Sequence, residues 1–162
     1  MPNKKMTASF LSKSAVIAAL YGVLTYLSYI FGLSSGFIQV RFSEMITVLP
    51  MFTPAAIPGL FIGCLVSNIL CGGNIWDIVF GSLATLIGAY GTYVFREKDV
   101  KIALLSPVFS NTLIIPFILK FTYGVEGAIP VFMIAIAMGE MISAWLFGIG
   151  VYRTIKKYKI KI

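Results

Sequence analysis

Four runs of this chain, at about Lys13–Gly32, Ile75–Phe95, Ile102–Phe121 and Ile129–Tyr152, are long, apolar and hold one charged residue apiece. About twenty residues in a helix, rising 1.5 Å each, cross a hydrocarbon core of ~30 Å. Lipid offers no partner for backbone N–H and C=O groups, so runs like these must close their hydrogen bonds internally as helices. A soluble domain is excluded on composition: 59% of the residues are hydrophobic and only 12% are charged, too few to clothe a water-facing surface. The expected fold is an all-α integral membrane protein. Residues 1–162 are expected to form a single membrane-embedded domain, because no connection is long enough to separate two cores.

The stretch between the first two long runs, Gln39–Cys64, breaks the pattern. It sets Arg41 and Glu44 beside an apolar segment interrupted by Pro50, Pro54 and Pro58. Ser43 is a candidate N-cap for a helix starting at Glu44. A helix ending near Pro54 would have about ten residues and span ~15 Å, half a bilayer. Phe37–Phe42 reads as extended chain dipping inward to meet it, after a loop at Leu33–Gly36. Irregular backbone at that depth must be covered by protein or line a cavity. A single tilted helix from Phe37 to Ile57, kinked at its prolines, is the competing reading. A further span is expected at about 55–70, with Pro58 in its first turn and Gly59 and Gly63 at GxxxG spacing. The expected total is six spans, at about 13–32, 43–54, 55–70, 75–95, 102–121 and 129–152.

Orientation follows from the basic residues. With six crossings, eleven of the thirteen lysines and arginines share the side of the two termini and the 96–101 loop; only Arg41 and Lys120 lie opposite. Both termini are therefore expected in the cytoplasm, which puts Arg41 and Glu44 in the outer half. The same clustering explains the net charge of +7 as topology and headgroup contact rather than nucleic-acid binding. The first span follows a basic lead-in without an A-x-A cleavage site and is expected to be retained. The chain has no histidine and two isolated cysteines, Cys64 and Cys71. A metal site, a cofactor site or a Cys-His nucleophile is not expected. No phosphate-cradling loop or hydrolase motif is present, so the chain is not expected to be an enzyme or to hydrolyse ATP.

Glu140, at mid-membrane, is the foremost candidate for a ligand contact, because a carboxylate there is costly unless paired. Arg41 and Glu44, three apart, would touch if both were helical and would form either a latch or a ligand clamp. Asp77 suits the start of a helix. Asn68 and Asn111 would act as ligand contacts or helix-to-helix glue. Phe42 and Tyr123 would stack on a planar ligand or anchor span ends, and Trp76 suits an interface anchor. Ala15, Ala18, Ala19 and Gly22 form a small-residue stripe on the first span, fit for packing within the chain or for docking another membrane subunit.

VRFSEMITVLPMFTPAAIPGLFIGC followed by NIWDIVFGSLATLIGAY resembles the QueT family, transporters of queuosine precursors grouped with the substrate-binding S components of energy-coupling factor (ECF) transporters. The resemblance covers nearly the whole chain. It implies a six-helix bundle whose outer pocket is closed by the loop after the first helix. It also implies docking through Ala15 and Ala19, with Ala18 and Gly22, onto a coupling transmembrane subunit that carries two ATPases. The implied substrate is a 7-deazaguanine: the 7-cyano base, the 7-aminomethyl base or queuine. Its N1–H and 2-amino group are parallel donors that one carboxylate, Glu44 or Glu140, would accept; the second carboxylate, or Asp77, would face an aminomethyl cation. A self-sufficient proton-coupled carrier working through Glu140, an S component for another ligand, and a purely structural subunit are the rival readings.

Overall fold

The computed structural model describes residues 8–34 and 38–160. All regular structure among them is helical: α1 (Ala8–Ile30), a 3₁₀-helix (Phe42–Met51), α2 (Ala56–Leu70), α3 (Ile75–Val94), α4 (Val100–Ala103), α5 (Leu105–Phe121), α6 (Ile129–Glu140), a turn of π-helix (Met141–Leu146) and α7 (Phe147–Tyr158). Four of these stretches are long and apolar enough to cross a membrane: Ala8–Ile30, Ile75–Val94, Val100–Phe121 and Ile129–Tyr158. The 3₁₀-helix and α2 are apolar but shorter.

The helices form a closely packed set in which α2 lies between α1 and α3, and α5 between α3 and α6. Glycine sets the closest approach. A Cβ at Gly59 would lie 2.8 Å from the Ser14 carbonyl oxygen, and one at Gly63 2.8 Å from that of Ala18. The GxxxG face of α2 is thus spent on α1, through Ser14, Ile17, Ala18 and Tyr21. Ala15 and Ala19 point away from this seam and are exposed.

The 3₁₀-helix corrects two expectations. An α-helix with Ser43 as its N-cap was predicted. Instead Arg41 occupies the cap position, in extended conformation at φ −113° and ψ 115°, and makes no side-chain cap bond. The Ser43 hydroxyl is buried without a hydrogen-bond partner. Within the helix, Thr47 Oγ1 donates to the Glu44 carbonyl at 2.6 Å, and Pro50 brings no N–H. Both features suit i to i+3 bonding, and ten residues of 3₁₀-helix advance ~20 Å, further than the same number in α-helix. The element is held from several sides, by α1, α3, α7 and the π-turn, and Glu44 and Ile46–Pro50 are buried. That surrounding contact sustains a 3₁₀ run longer than usual. Residues 35–37, part of the predicted loop and extended lead-in, lie outside the described residues, as do Lys4, Lys5 and Lys161.

Candidate functional site

The extended lead-in to the 3₁₀-helix is clasped by two hydroxyls. The Phe42 N–H donates to Ser28 Oγ of α1 at 2.8 Å, and the Arg41 N–H donates to Ser143 Oγ in the π-turn at 3.1 Å. A glycine makes room for the residue before them: a Cβ at Gly139 would lie 2.0 Å from the Gln39 carbonyl oxygen. The segment Gln39–Phe42 is therefore seated on both α1 and α6. The π-turn that supplies Ser143 starts directly after Glu140. Such extra-wide turns commonly mark functional positions, because they re-aim the side chains around them.

Under this segment lies a small cavity of about 10 Å³, lined by Gln39, Arg41, Asn111, Ile115, Ile136 and Glu140. That volume holds about one water. Glu140 is 8% exposed and Glu44 1%. Each has one buried carboxylate oxygen, Oε2, without a hydrogen-bond partner. The other oxygen of Glu44 accepts a 2.5 Å hydrogen bond from the Tyr21 hydroxyl. Arg41, Asn111 and Glu140 line this cavity together. The expected Arg41–Glu44 contact does not form: among the described residues the ion pair within 4.0 Å is Arg96–Glu97. The reason is backbone conformation: Arg41 is extended and stands before the helix that carries Glu44, so the i, i+3 helical spacing does not hold between them.

The remaining candidates fall elsewhere. Asp77 is in the first turn of α3, whose N-cap is Asn74 accepting from the Trp76 N–H. Its carboxylate accepts a 3.0 Å bond from the Tyr123 hydroxyl, which in turn accepts from the Asn74 N–H at 3.1 Å. Partial burial, with Asp77 nearby, raises the Tyr123 phenol above its usual pKa and keeps it a donor. This clasp joins the α5–α6 loop to the α2–α3 turn. The Asn68 amide donates to the Asp77 carbonyl at 3.4 Å, so Asn68 ties α2 to α3 rather than facing the cavity. Phe42 is half-buried and outside the cavity lining. A larger hollow, about 450 Å³, lies between α3 and α5 and is walled by residues such as Trp76, Phe80, Phe117 and Phe121, with no charged group.

Sequence reasoning passed over Tyr21, Gln39, Gly139 and Ser143. Tyr21 carried a usable signal: a phenol in the middle of a span, away from the interface, needs a hydrogen-bond partner. Gly139 and Ser143 carried only their closeness in sequence to Glu140.

A family model described as QueT transporter matches residues 11–157. A curated protein of Lactococcus lactis subsp. cremoris (strain MG1363), named Queuosine precursor transporter QueT, is 39% identical over 74 residues. That match spans 45% of this chain and 43% of the relative, less than half of each. No solved structure matches. The chain belongs to the QueT transporter family.

Proposed function

We propose that this chain is the substrate-binding S component of an ECF-type importer, and that it captures a queuosine precursor of the 7-deazaguanine type on the outer side of the cell membrane. The observation that carries the reading is the pair of buried carboxylates, Glu44 and Glu140, each with a partnerless oxygen, the second of them lining the cavity together with Arg41. Ionisable groups at membrane depth mark ligand or ion sites. A guanine-type edge supplies the parallel N–H donors that such a carboxylate lacks, and a buried acceptor left unpaired strongly disfavours bases without them. Family membership and the name of the Lactococcus relative support the substrate class.

In this reading the four long helical stretches, together with the 3₁₀-helix and α2, make six crossings of one domain. The asymmetry of the basic residues supports a cytoplasmic position for both termini. The chain is not an enzyme. Energy comes from a coupling transmembrane subunit with two ATPases, docked on the outward face of α1 that carries Ala15 and Ala19, both exposed, with Gly22 half-buried beside them, whereas Ala18 packs against Gly63 of α2. A bicyclic base does not fit a 10 Å³ cavity, so loading requires the Gln39–Phe42 segment to lift from α6 and then to seat again over the bound base.

Equilibrium binding to the purified chain tests the assignment. The parent is expected to bind 7-aminomethyl-7-deazaguanine and to ignore riboflavin and thiamine. Glu44→Gln and Glu140→Gln are each expected to weaken binding by about 100-fold, the loss of ~3 kcal/mol that follows when a buried charged acceptor is removed. Parent-like affinity in both variants sinks the carboxylate clamp; absence of any deazaguanine binding by the parent sinks the substrate class.

A further inference from the structure

We propose that the end of the bundle formed by the 96–101 loop and the last turns of α7 is a binding surface for the headgroups of anionic phospholipids. The inference is independent of the substrate reading. The two segments are distant in the chain but packed together. Val100 from the first, and Val151 and Tyr152 of α7, pack against one buried cluster that contains Leu104 and Ile149. The Trp145 indole N–H, just ahead of α7, donates to the Lys101 carbonyl at 3.0 Å. Residues 96–101 and 153–159 together carry seven lysines and arginines against two carboxylates, Glu97 and Asp99. Both carboxylates are engaged. Glu97 lies 3.6 Å from the Arg96 guanidinium, and Asp99 accepts from the Lys101 backbone N–H at 2.8 Å. Lys98, Lys101, Arg153, Lys156 and Lys157 are exposed and join no ion pair among the described residues.

The surroundings of these cations select the anion. Ile155 is buried in the core and turns one face of α7 inward, which leaves Arg153, Lys156 and Lys157 on the outside. Lys156 and Lys157 lie over aromatic rings, their ammonium nitrogens 5.7 Å from the centre of the Tyr152 ring and 5.5 Å from that of Tyr158. A lysine in this position lays its stem along apolar surface and keeps N–H donors for an oxygen acceptor. Phe95, Ile102 and Tyr158 are exposed at the same end, where the apolar stretches Ile75–Val94 and Ile129–Tyr158 finish and Val100–Phe121 begins. Cations interleaved with exposed apolar and aromatic side chains, at the ends of membrane-crossing helices, match the boundary between acyl chains and headgroups. Phosphodiester oxygens there accept charge-assisted hydrogen bonds from lysine and arginine. A nucleic acid arriving from water would meet the cations but leave the apolar groups uncovered.

The test is a lipid titration of the purified chain in neutral detergent, read by the thermal midpoint. Phosphatidylglycerol and phosphatidylcholine with the same acyl chains are the probes. Phosphatidylglycerol is expected to raise the midpoint at a concentration at least ~10-fold lower than phosphatidylcholine requires. Water-soluble glycerophosphoglycerol should not raise it, which separates a lipid from a free anion. Each lysine or arginine beside an anionic lipid surface contributes about fivefold in affinity. The triple variant Lys101→Gln, Arg153→Gln and Lys156→Gln is therefore expected to bind phosphatidylglycerol about 100-fold more weakly. Lys120→Gln, at the opposite end of α5, should match the parent. Trp145→Phe changes no charge but removes the bond to the Lys101 carbonyl, and is expected to weaken the lipid about fivefold. Equal action of the two lipids on the parent overturns the proposal, and so does a parent-like response in the triple variant. A full response to glycerophosphoglycerol overturns the lipid assignment in favour of a free-anion site. Parent-like binding by Trp145→Phe overturns the paired arrangement of the two segments and reduces the surface to net charge. The comparison of the two lipids on the parent decides the matter should the triple variant not fold, and none of these outcomes bears on deazaguanine binding.

Discussion

Gly139→Ala is expected to cut the affinity for 7-aminomethyl-7-deazaguanine by about 100-fold and to lower the thermal midpoint of the ligand-free protein. The added methyl would sit 2.0 Å from the Gln39 carbonyl oxygen and 3.0 Å from its carbonyl carbon. Both are backbone atoms, so no side-chain rotation relieves the clash. Either α6 withdraws or the Gln39–Phe42 segment rises. The segment is pinned by Ser143 at Arg41 and by Ser28 at Phe42, so raising it breaks those bonds and carries Arg41 off the cavity. Overpacking of this kind typically costs ~1–3 kcal/mol, and the upper end corresponds to ~100-fold in binding. Gly150→Ala is the control, because a Cβ there meets nothing within 4 Å, and it should change neither quantity. Parent-like affinity together with an unchanged midpoint in Gly139→Ala would mean that the segment does not bear on α6 and is not the cover of the site.

The same residues show what a single sequence discloses and what it conceals. The long helices were legible because twenty apolar residues in lipid have one solution: α3 was predicted at 75–95 and runs Ile75–Val94. The importance of Glu44 and Glu140 was legible for a related reason, since a charge at depth demands an explanation wherever it falls. Their partners were not. Tyr21 reaches Glu44 across 23 residues, and Ser143 reaches Arg41 across 102; no local pattern encodes such pairs. Sequence spacing suggested an Arg41–Glu44 pair because i and i+3 meet on a helix, but Arg41 stands just before the helix in extended conformation. Whether the segment after it would be α or 3₁₀ also turned on surrounding contacts, because its own residues are compatible with either. Gly139 was the most informative position overlooked: a glycine beside a mid-span carboxylate signals close approach of another backbone.

Helix α1 has two faces, and the second large prediction separates them. Gly63→Leu is expected to prevent accumulation of folded protein, or to lower its thermal midpoint severely. Even the first carbon of a side chain there would lie 2.8 Å from the Ala18 carbonyl oxygen and 2.8 Å from Tyr21 Cβ. Forcing α1 and α2 apart costs ~3 kcal/mol or more, because helix contact in lipid rests on close packing rather than on hydrophobic burial. It also displaces Tyr21, and with it the hydroxyl that fixes Glu44. The double replacement Ala15→Leu with Ala19→Leu should behave in the opposite way. Both alanines are exposed on the far side of α1, so the purified variant should keep its midpoint and bind ligand within about threefold of the parent. Uptake of the radiolabelled base by cells supplied with the coupling subunit and ATPases should nevertheless be lost, because two leucines fill the surface on which the small-residue face would seat a partner helix. Gly22→Leu, where a Cβ meets nothing within 4 Å, should likewise leave folding intact and show whether the docking face extends one turn further. Undiminished uptake by the double alanine variant would remove α1 as the docking surface. Loss of ligand binding in that variant would show instead that this outer face supports the pocket directly. A normally folded Gly63→Leu protein would mean that the α1–α2 seam is not close-packed, and the position assigned to Tyr21 over Glu44 would fall with it.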